Sequence, residues 1–405
     1  MLNYLTRLAR QLAWLPLCAL GACFPRNDRL WVFGAWHGQQ YADNARALYR
    51  HVHAHEPDLR AVWLTHSRDV LRRVQEEGGE AAMAYSLRGI LVSLRARLFL
   101  VTHSAEDVNA HASLGGTLIN LTHGTPLKRF GRDAHARSQR IGGATRLFDR
   151  YLRRLLPGKR GPDQVLVASS VGRERMMSAY GLPCERVVAL GYPRWDAFRT
   201  DAAGLLRGAG IETRNFAGVL LYAPTLRMQG KGGLDVAQGK LLESLLPWLE
   251  RERLLLLVRG HASLKMSGIA ALERRSAHVR EVPVSRFADV NALLPAVDLL
   301  LTDYSSLMFD YACLRRPIVL MAPDLASYLN EDVGVYGDYF ADAPGPVIEG
   351  WQQLPAAWRA VQAGEHDAAL ARFFARHAAL HDGRVCERIT THLRACSQQP
   401  MPRHA

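Results

Sequence analysis

The sequence predicts an α/β fold built from two doubly wound parallel sheets, on three observations. Short apolar runs alternate with helix-compatible stretches along the chain, the pattern of strands whose crossover helices cover both sheet faces. With 405 residues and 48% apolar composition, the chain can bury two cores of ordinary domain size. Gly204, Gly208 and Gly210 interrupt an otherwise helical stretch and place the change-over near residues 195–215.

Taken in order, residues 1–28 combine Arg7 and Arg10 with an apolar run from Leu12 to Phe24. This run contains Leu20-Gly21-Ala22-Cys23, superficially a lipoprotein signal. It is too short to span a bilayer but matches a signal-peptide core. Because Leu30-Trp31-Val32-Phe33-Gly34 already reads as the first core strand, a helix at the membrane interface or docked on the protein is favoured over a cleaved signal. Residues 29–200 form the first domain, with strands expected at 30–35, 61–65, 98–102, 117–122, 164–169 and 186–190. Helices fit from Asn44 to His55 and from Arg68 to Glu77. Residues 201–385 form the second domain, with strands at 217–223, 254–259, 278–282, 297–302 and 318–322. One or two closing helices fit between Ala368 and Cys396, and 386–405 is the helix end and tail. In such a pair of sheets the ligand lies in the cleft between their carboxyl edges.

The formal net charge is +13, carried by 46 Arg and 5 Lys against 38 acidic residues. This excess implies an anionic partner: nucleic acid, an anionic membrane or a phosphorylated substrate. No helix-turn-helix, zinc-finger or RNA-binding aromatic motif occurs, which sets nucleic acid aside. Cysteines at 18, 23, 184, 313, 386 and 396 show no metal-ligand spacing and suit a reducing compartment. Between Arg129 and Arg160 ten basic residues face only Asp133 and Asp149. There Leu147, Phe148, Tyr151, Leu152, Leu155 and Leu156 share one helical face. Two readings stand side by side: a helix docked on its own domain with solvated arginines, or a helix that brings the protein to an anionic membrane surface.

The most informative segment is Asn120-Leu121-Thr122-His123-Gly124-Thr125-Pro126-Leu127-Lys128, a strand that ends in a histidine followed at once by glycine. A histidine at a strand's carboxyl end sits where open α/β sheets bind ligands, and Gly124 lets a phosphate approach the backbone. Pro126 suits the first turn of a following helix. Four further segments join it: Gly191-Tyr192-Pro193-Arg194 with Asp196, Tyr222-Ala223-Pro224-Thr225 with Arg227, Arg259-Gly260-His261, and Leu301-Thr302-Asp303-Tyr304-Ser305-Ser306 with Asp310.

In this order and spacing the five segments resemble the CDP-glycerol glycerophosphotransferase family, whose members prime and polymerise teichoic acids and related capsular polymers. The resemblance runs from about Phe33 to about Val347. It implies a GT-B type fold, with an acceptor-binding first domain and a second domain that binds the CDP-linked donor. The implied reaction moves glycerol phosphate, or a related polyol phosphate, from CDP-glycerol or CDP-ribitol to a lipid-linked or polymeric acceptor. Because a nucleotide-activated donor is available only inside the cell, the implied place of work is the cytoplasmic face of the membrane.

The chemistry needs in-line positioning, charge stabilisation and a base for the attacking hydroxyl. His123 is the candidate base, since an imidazole near its reference pKa accepts a proton at neutral pH, and the family's matching histidine is regarded as essential. His261 is expected to hydrogen-bond the diphosphate or protonate the departing phosphate oxygen. Arg227 is expected to pair with phosphate through its planar fork. Thr302, Asp303, Ser305 and Ser306 make the expected phosphate site, with Asp303 or Ser305 capping a helix that runs to Arg316 and stops at Pro317. Asp310 is expected to organise that loop. Asp43 and Asn44 either serve the acceptor side or cap a helix, Arg194 is placed towards phosphate, and Lys128 either neutralises phosphate or is solvated.

The chain departs from the family pattern at Thr122, where tryptophan is usual, at Ala262 for proline and at Trp195 for asparagine. No Asp-x-Asp metal motif occurs, so no tightly bound cofactor is expected, and Mg2+ has a place only as a companion of the CDP donor. Two competing readings share part of these features: a GT-B glycosyltransferase using a nucleotide sugar, and an exported lipoprotein that binds anionic polymer, which rests on Cys23 and the net charge.

Overall fold

The computed structural model describes residues 14–134, 161–199, 201–225, 242–260, 269–325, 328 and 334–398. The first sheet has seven parallel strands: β1 (Asn27–Phe33), β2 (Arg60–Thr65), β3 (Ala81–Met83), β4 (Ala96–Val101), β5 (Thr117–Asn120), β6 (Gln164–Val167) and β7 (Val187–Ala189), in the order β3-β2-β1-β4-β5-β6-β7. The second sheet has six: β8 (Gly218–Tyr222), β9 (Leu254–Val258), β10 (Val279–Glu281), β11 (Leu299–Thr302), β12 (Ile318–Met321) and β13 (Val347–Ile348), in the order β10-β9-β8-β11-β12-β13. Strands covered on both faces read as unbroken apolar runs rather than alternations, and β4, β8, β9, β11 and β12 are buried at every residue.

In both sheets the strand order reverses beside the first strand, between β1 and β4 and between β8 and β11. Each reversal opens a crevice at the strands' carboxyl ends. The loops that border these crevices are 34–38 and 102–107 in the first lobe, and 223–225 and 303–306 in the second. All eleven expected strands are present, and β3 and β13 are additional edge strands of three and two residues.

Two helix expectations are corrected. No helix follows Pro126, because residues 127–129 pair with the second lobe instead: Tyr336 N–H donates to Leu127 O at 2.8 Å, Arg129 N–H donates to Gly334 O at 2.9 Å, and Lys128 forms an antiparallel bridge with Val335. The helix expected to reach Arg316 is Leu307–Tyr311 plus a 3-10 turn, ended by Arg315 at φ 51°.

The apolar N-terminal run forms a helix, Leu15–Cys23, that docks on the first lobe. A Cβ on Gly21 would stand 2.9 Å from Leu114 O, so only glycine allows this approach. Arg26 then locks the exit by donating to the carbonyls of Ser93 at 2.7 Å and Ala96 at 3.1 Å. Among the described residues no helix is long and apolar enough to cross a membrane. The basic segment 146–156 lies outside the described residues. At the other end the helix Val385–Gln398 returns to the first lobe, where Asp196 accepts from the N–H groups of Val385 at 3.1 Å and Cys386 at 2.7 Å. All six cysteines are free thiols.

Candidate active site

Beyond β5 the backbone turns sharply. Thr122 has φ 56° and Gly124 φ 147°, which lifts the exposed His123 into the cleft between the lobes. A β-branched residue in the left-handed region is strained, and such strain persists only where its surroundings over-determine it. They do so here: Asn44 Nδ2 donates to the carbonyls of both Leu121 and Thr122 at 3.0 Å, Asn120 Oδ1 accepts from Thr122 N–H at 2.7 Å, and Thr122 Oγ1 donates to Leu166 O at 3.3 Å. Thr125 is buried, with its hydroxyl 3.4 Å from Tyr192 OH. A Cβ on Gly124 would meet Ser306 Oγ at 3.2 Å and Arg194 Nη2 at 3.3 Å, so a side chain here would crowd both Arg194 and the Ser306 loop of the second lobe.

Arg194 was expected to meet phosphate; the structure gives it another task. It is 4% exposed and donates through Nε and Nη2 to Asp310 at 3.0 and 2.7 Å, and through Nη1 to Asp43 and, at 3.0 Å, to the carbonyl of His123. Burial alone would lower its pKa, but the carboxylates of Asp310 and Asp43 more than offset that and raise it. Trp195 Nε1–H adds a bond to Asp310 at 2.8 Å. Asp43, with φ 68°, and Asn44 belong to the first lobe and Asp310 to the second, so the cluster ties the lobes together directly behind His123.

The expected phosphate site is also partly corrected. Thr302 is fully buried, and its hydroxyl donates to Ala223 O at 2.7 Å. Asp303 Oδ1 accepts from the N–H and the hydroxyl of Thr225 at 2.8 and 2.6 Å. Both side chains therefore shape the loop after β8. Ser305 and Ser306 face the cleft, and Ser305 Oγ accepts from Leu307 N–H at 3.2 Å. Lys128 holds its ammonium 5.1 Å over the ring of Tyr328. Arg227 and His261 lie outside the described residues.

Two cavities share a wall made by His123, Pro224, Ser305 and Ser306. One, of about 400 Å³, is bordered mainly by second-lobe loops, with Arg259, Gly260, Asp289 and Asn291. Among the described residues the buried Asn291 Oδ1 has no hydrogen-bond partner. The other cavity, of about 560 Å³, extends along Thr125, Lys128, Phe130, Met176 and Tyr180. Among the described residues no group of three or more His, Cys, Asp or Glu could hold a metal ion.

Sequence reasoning missed the residues beneath His123. His103 lies at the carboxyl end of β4, next to β5, and its ring stacks on that of His123 with centroids 4.3 Å apart and planes 4° from parallel. Burial, aided by the neighbouring His123, lowers its pKa to about 4, so it is neutral at neutral pH. Asp107 anchors the turn by accepting from the N–H groups of Thr102 at 2.8 Å, His103 at 2.9 Å and His37 at 2.7 Å. The available signal was Val101-Thr102-His103, a second histidine just beyond an apolar strand.

A family model described as CDP-Glycerol:Poly(glycerophosphate) glycerophosphotransferase matches residues 18–394. The chain belongs to that family. It is 27% identical over 372 residues to the teichoic acid glycerol-phosphate transferase of Staphylococcus aureus, covering 90% of this chain and 92% of that one. It is 24% identical to the teichoic acid poly(glycerol phosphate) polymerase of Bacillus subtilis, across 92% of this chain but only 50% of the polymerase. The solved structure of the wall teichoic acid polymerase TagF superposes with a TM-score of 0.73 at 23% identity, covering 98% of each chain, which shows the shared GT-B type fold. Membership of this glycerophosphotransferase family displaces both the nucleotide-sugar glycosyltransferase and the polymer-binding lipoprotein readings.

Proposed function

We propose that this glycerophosphotransferase moves glycerol phosphate, or a close polyol phosphate such as ribitol phosphate, from its CDP-linked donor to a hydroxyl of a lipid-linked or polymeric acceptor. The observation that carries this reading is the exposed imidazole of His123 in a wall common to two cavities. The donor is assigned to the cavity lined by second-lobe loops, with Arg259, Asp289 and Asn291 on its wall. The acceptor is assigned to the other cavity, where Lys128 supplies positive charge and Phe130 and Tyr180 an aromatic platform.

In the reaction the acceptor oxygen bonds to the distal phosphorus as His123 takes its proton. The bond from that phosphorus to the CMP oxygen breaks, and CMP departs with the electron pair. Ser305 and Ser306 hold the phosphates at the shared wall. His261 and Arg227, which follow β9 and β8 in sequence, are assigned to the leaving phosphate. No resident cofactor is required, and Mg2+ would enter with the donor. The work is placed at the cytoplasmic membrane surface, a reading supported by the exposed Leu15 and Leu20 of the docked N-terminal helix.

The test is CMP release by the purified protein from CDP-glycerol and from CDP-ribitol, with and without a lipid-linked acceptor. Release that depends on acceptor and favours one donor is expected. Release from neither donor contradicts the reading.

A further inference from the structure

We propose that His103 is the positioning residue of this site: its ring is the platform that fixes the plane of the His123 imidazole for proton transfer. The proposal rests on the assignment of His123 as the base.

The contacts of His123 lead to this conclusion. Its Nδ1 lies 3.5 Å from the carbonyl of Thr102, too far for a hydrogen bond that would hold a ring in place. Trp36 is more distant, with its centroid 6.0 Å away and its plane inclined by 56°. Among the described residues the parallel stack on His103 is thus the close contact that fixes the plane of the His123 ring.

His103 is itself held on several sides. Its Nδ1 is 2.9 Å from Thr102 Oγ1, which in turn lies 3.3 Å from Asp107 Oδ2. With the Thr102 hydroxyl donating to the Asp107 carboxylate, its oxygen accepts from His103 Nδ1–H. Its backbone N–H donates to Asp107 at 2.9 Å, its carbonyl accepts from Asn120 Nδ2 at 3.0 Å, and Trp36 packs at 4.7 Å. Asn120 ends β5, so the strand that carries His123 also fixes its platform.

Neutrality gives the stack its chemical use. When His123 takes a proton from the acceptor hydroxyl, the face of an uncharged ring attracts the new cation, whereas a charged neighbour would repel it.

The test uses the full-length protein with three substitutions, His103→Ala, His103→Phe and His103→Asn, alongside His123→Ala. For each, kcat and KM for CDP-glycerol, donor affinity and the thermal midpoint are measured. Misplacing a base acts on the transition state rather than on donor binding, so H103A should lower kcat by about tenfold to a hundredfold while KM stays within about twofold. H103F keeps a stacking face and should retain kcat within about threefold. H103N keeps a donor towards Thr102 without the ring and should behave as H103A. In NMR spectra the Hε1 signal of His123 should show a ring-current shift in the wild type and in H103F that is lost in H103A and H103N. Wild-type kcat in H103A and H103N, or a kcat in H103F as low as in H103A, would overturn the proposal. So would the absence of the ring-current shift from the wild type, a result that needs no variant to fold. If H123A itself keeps full CMP release, the base assignment fails; if H123A is inactive while H103A is fully active, only the platform fails.

Discussion

The candidate site sets one exposed imidazole over polar groups that are buried. His123 faces two cavities, while Thr122, Thr125, Arg194 and Thr302 around it are buried and spend their polar groups on backbone carbonyls, on Tyr192 and on the carboxylates of Asp43 and Asp310. Buried polar groups without partners also carry consequences. His377 is 1% exposed, sits beside Phe309 and Phe373 with centroids 4.8 and 4.6 Å away, and among the described residues its buried Nδ1 has no partner. Burial, with Arg175 and Arg376 nearby, lowers its pKa from 6.5 to about 3. As pH falls below 6.5 the unfolded chain therefore takes up a proton that the folded chain refuses, and stability is lost progressively towards pH 3; His103 acts in the same sense down to about 4. Replacing His377 by Phe should flatten the decline in unfolding midpoint between pH 7 and pH 5. A decline as steep as that of the wild type would contradict this account.

At the level of elements, the two lobes are joined by parts that are far apart in sequence. Arg194, on the segment after β7, reaches Asp43 at the start of one helix and Asp310 in another. Removing one member leaves the others charged and buried, so Arg194→Ala should cost about 3–5 kcal/mol in denaturant unfolding. Lysine at this position cannot reproduce the planar fork and should recover little of it. A loss below about 1 kcal/mol would show that the cluster is not a structural tie. This long-range character also explains what the sequence hid. All of the eleven strands but β10 were legible because each contains a run of apolar residues bounded by turn residues, and β10 through apolar Val279 and Val282 on either side of charged residues. β3 and β13, with three and two residues, carry no periodic signal. The helix expected after Pro126 fails because residues 127–129 find backbone partners at 334–336, some two hundred positions away. The role of Arg194 was hidden for the same reason: an arginine beyond a strand looks like a phosphate ligand until the carboxylates from other elements are in place.

At the scale of the whole molecule, two sheets turn their reversal points towards each other, and the helix Val385–Gln398 crosses back to close on the first lobe. This arrangement was legible as two doubly wound sheets, and the site's location followed from the rule that ligands bind at strand carboxyl ends. Which side chains face the cleft was not legible, because Thr302 and Ser305 are three residues apart and end in opposite environments. The central claim is that His123, placed between a donor cavity and an acceptor cavity, takes the acceptor's proton. Its most direct test is acceptor-dependent CMP release by His123→Ala, paired with calorimetric binding of CDP-glycerol to the same protein. The account predicts a loss of about a hundredfold to ten-thousandfold in release with donor affinity little changed. Release near the wild-type rate would contradict it.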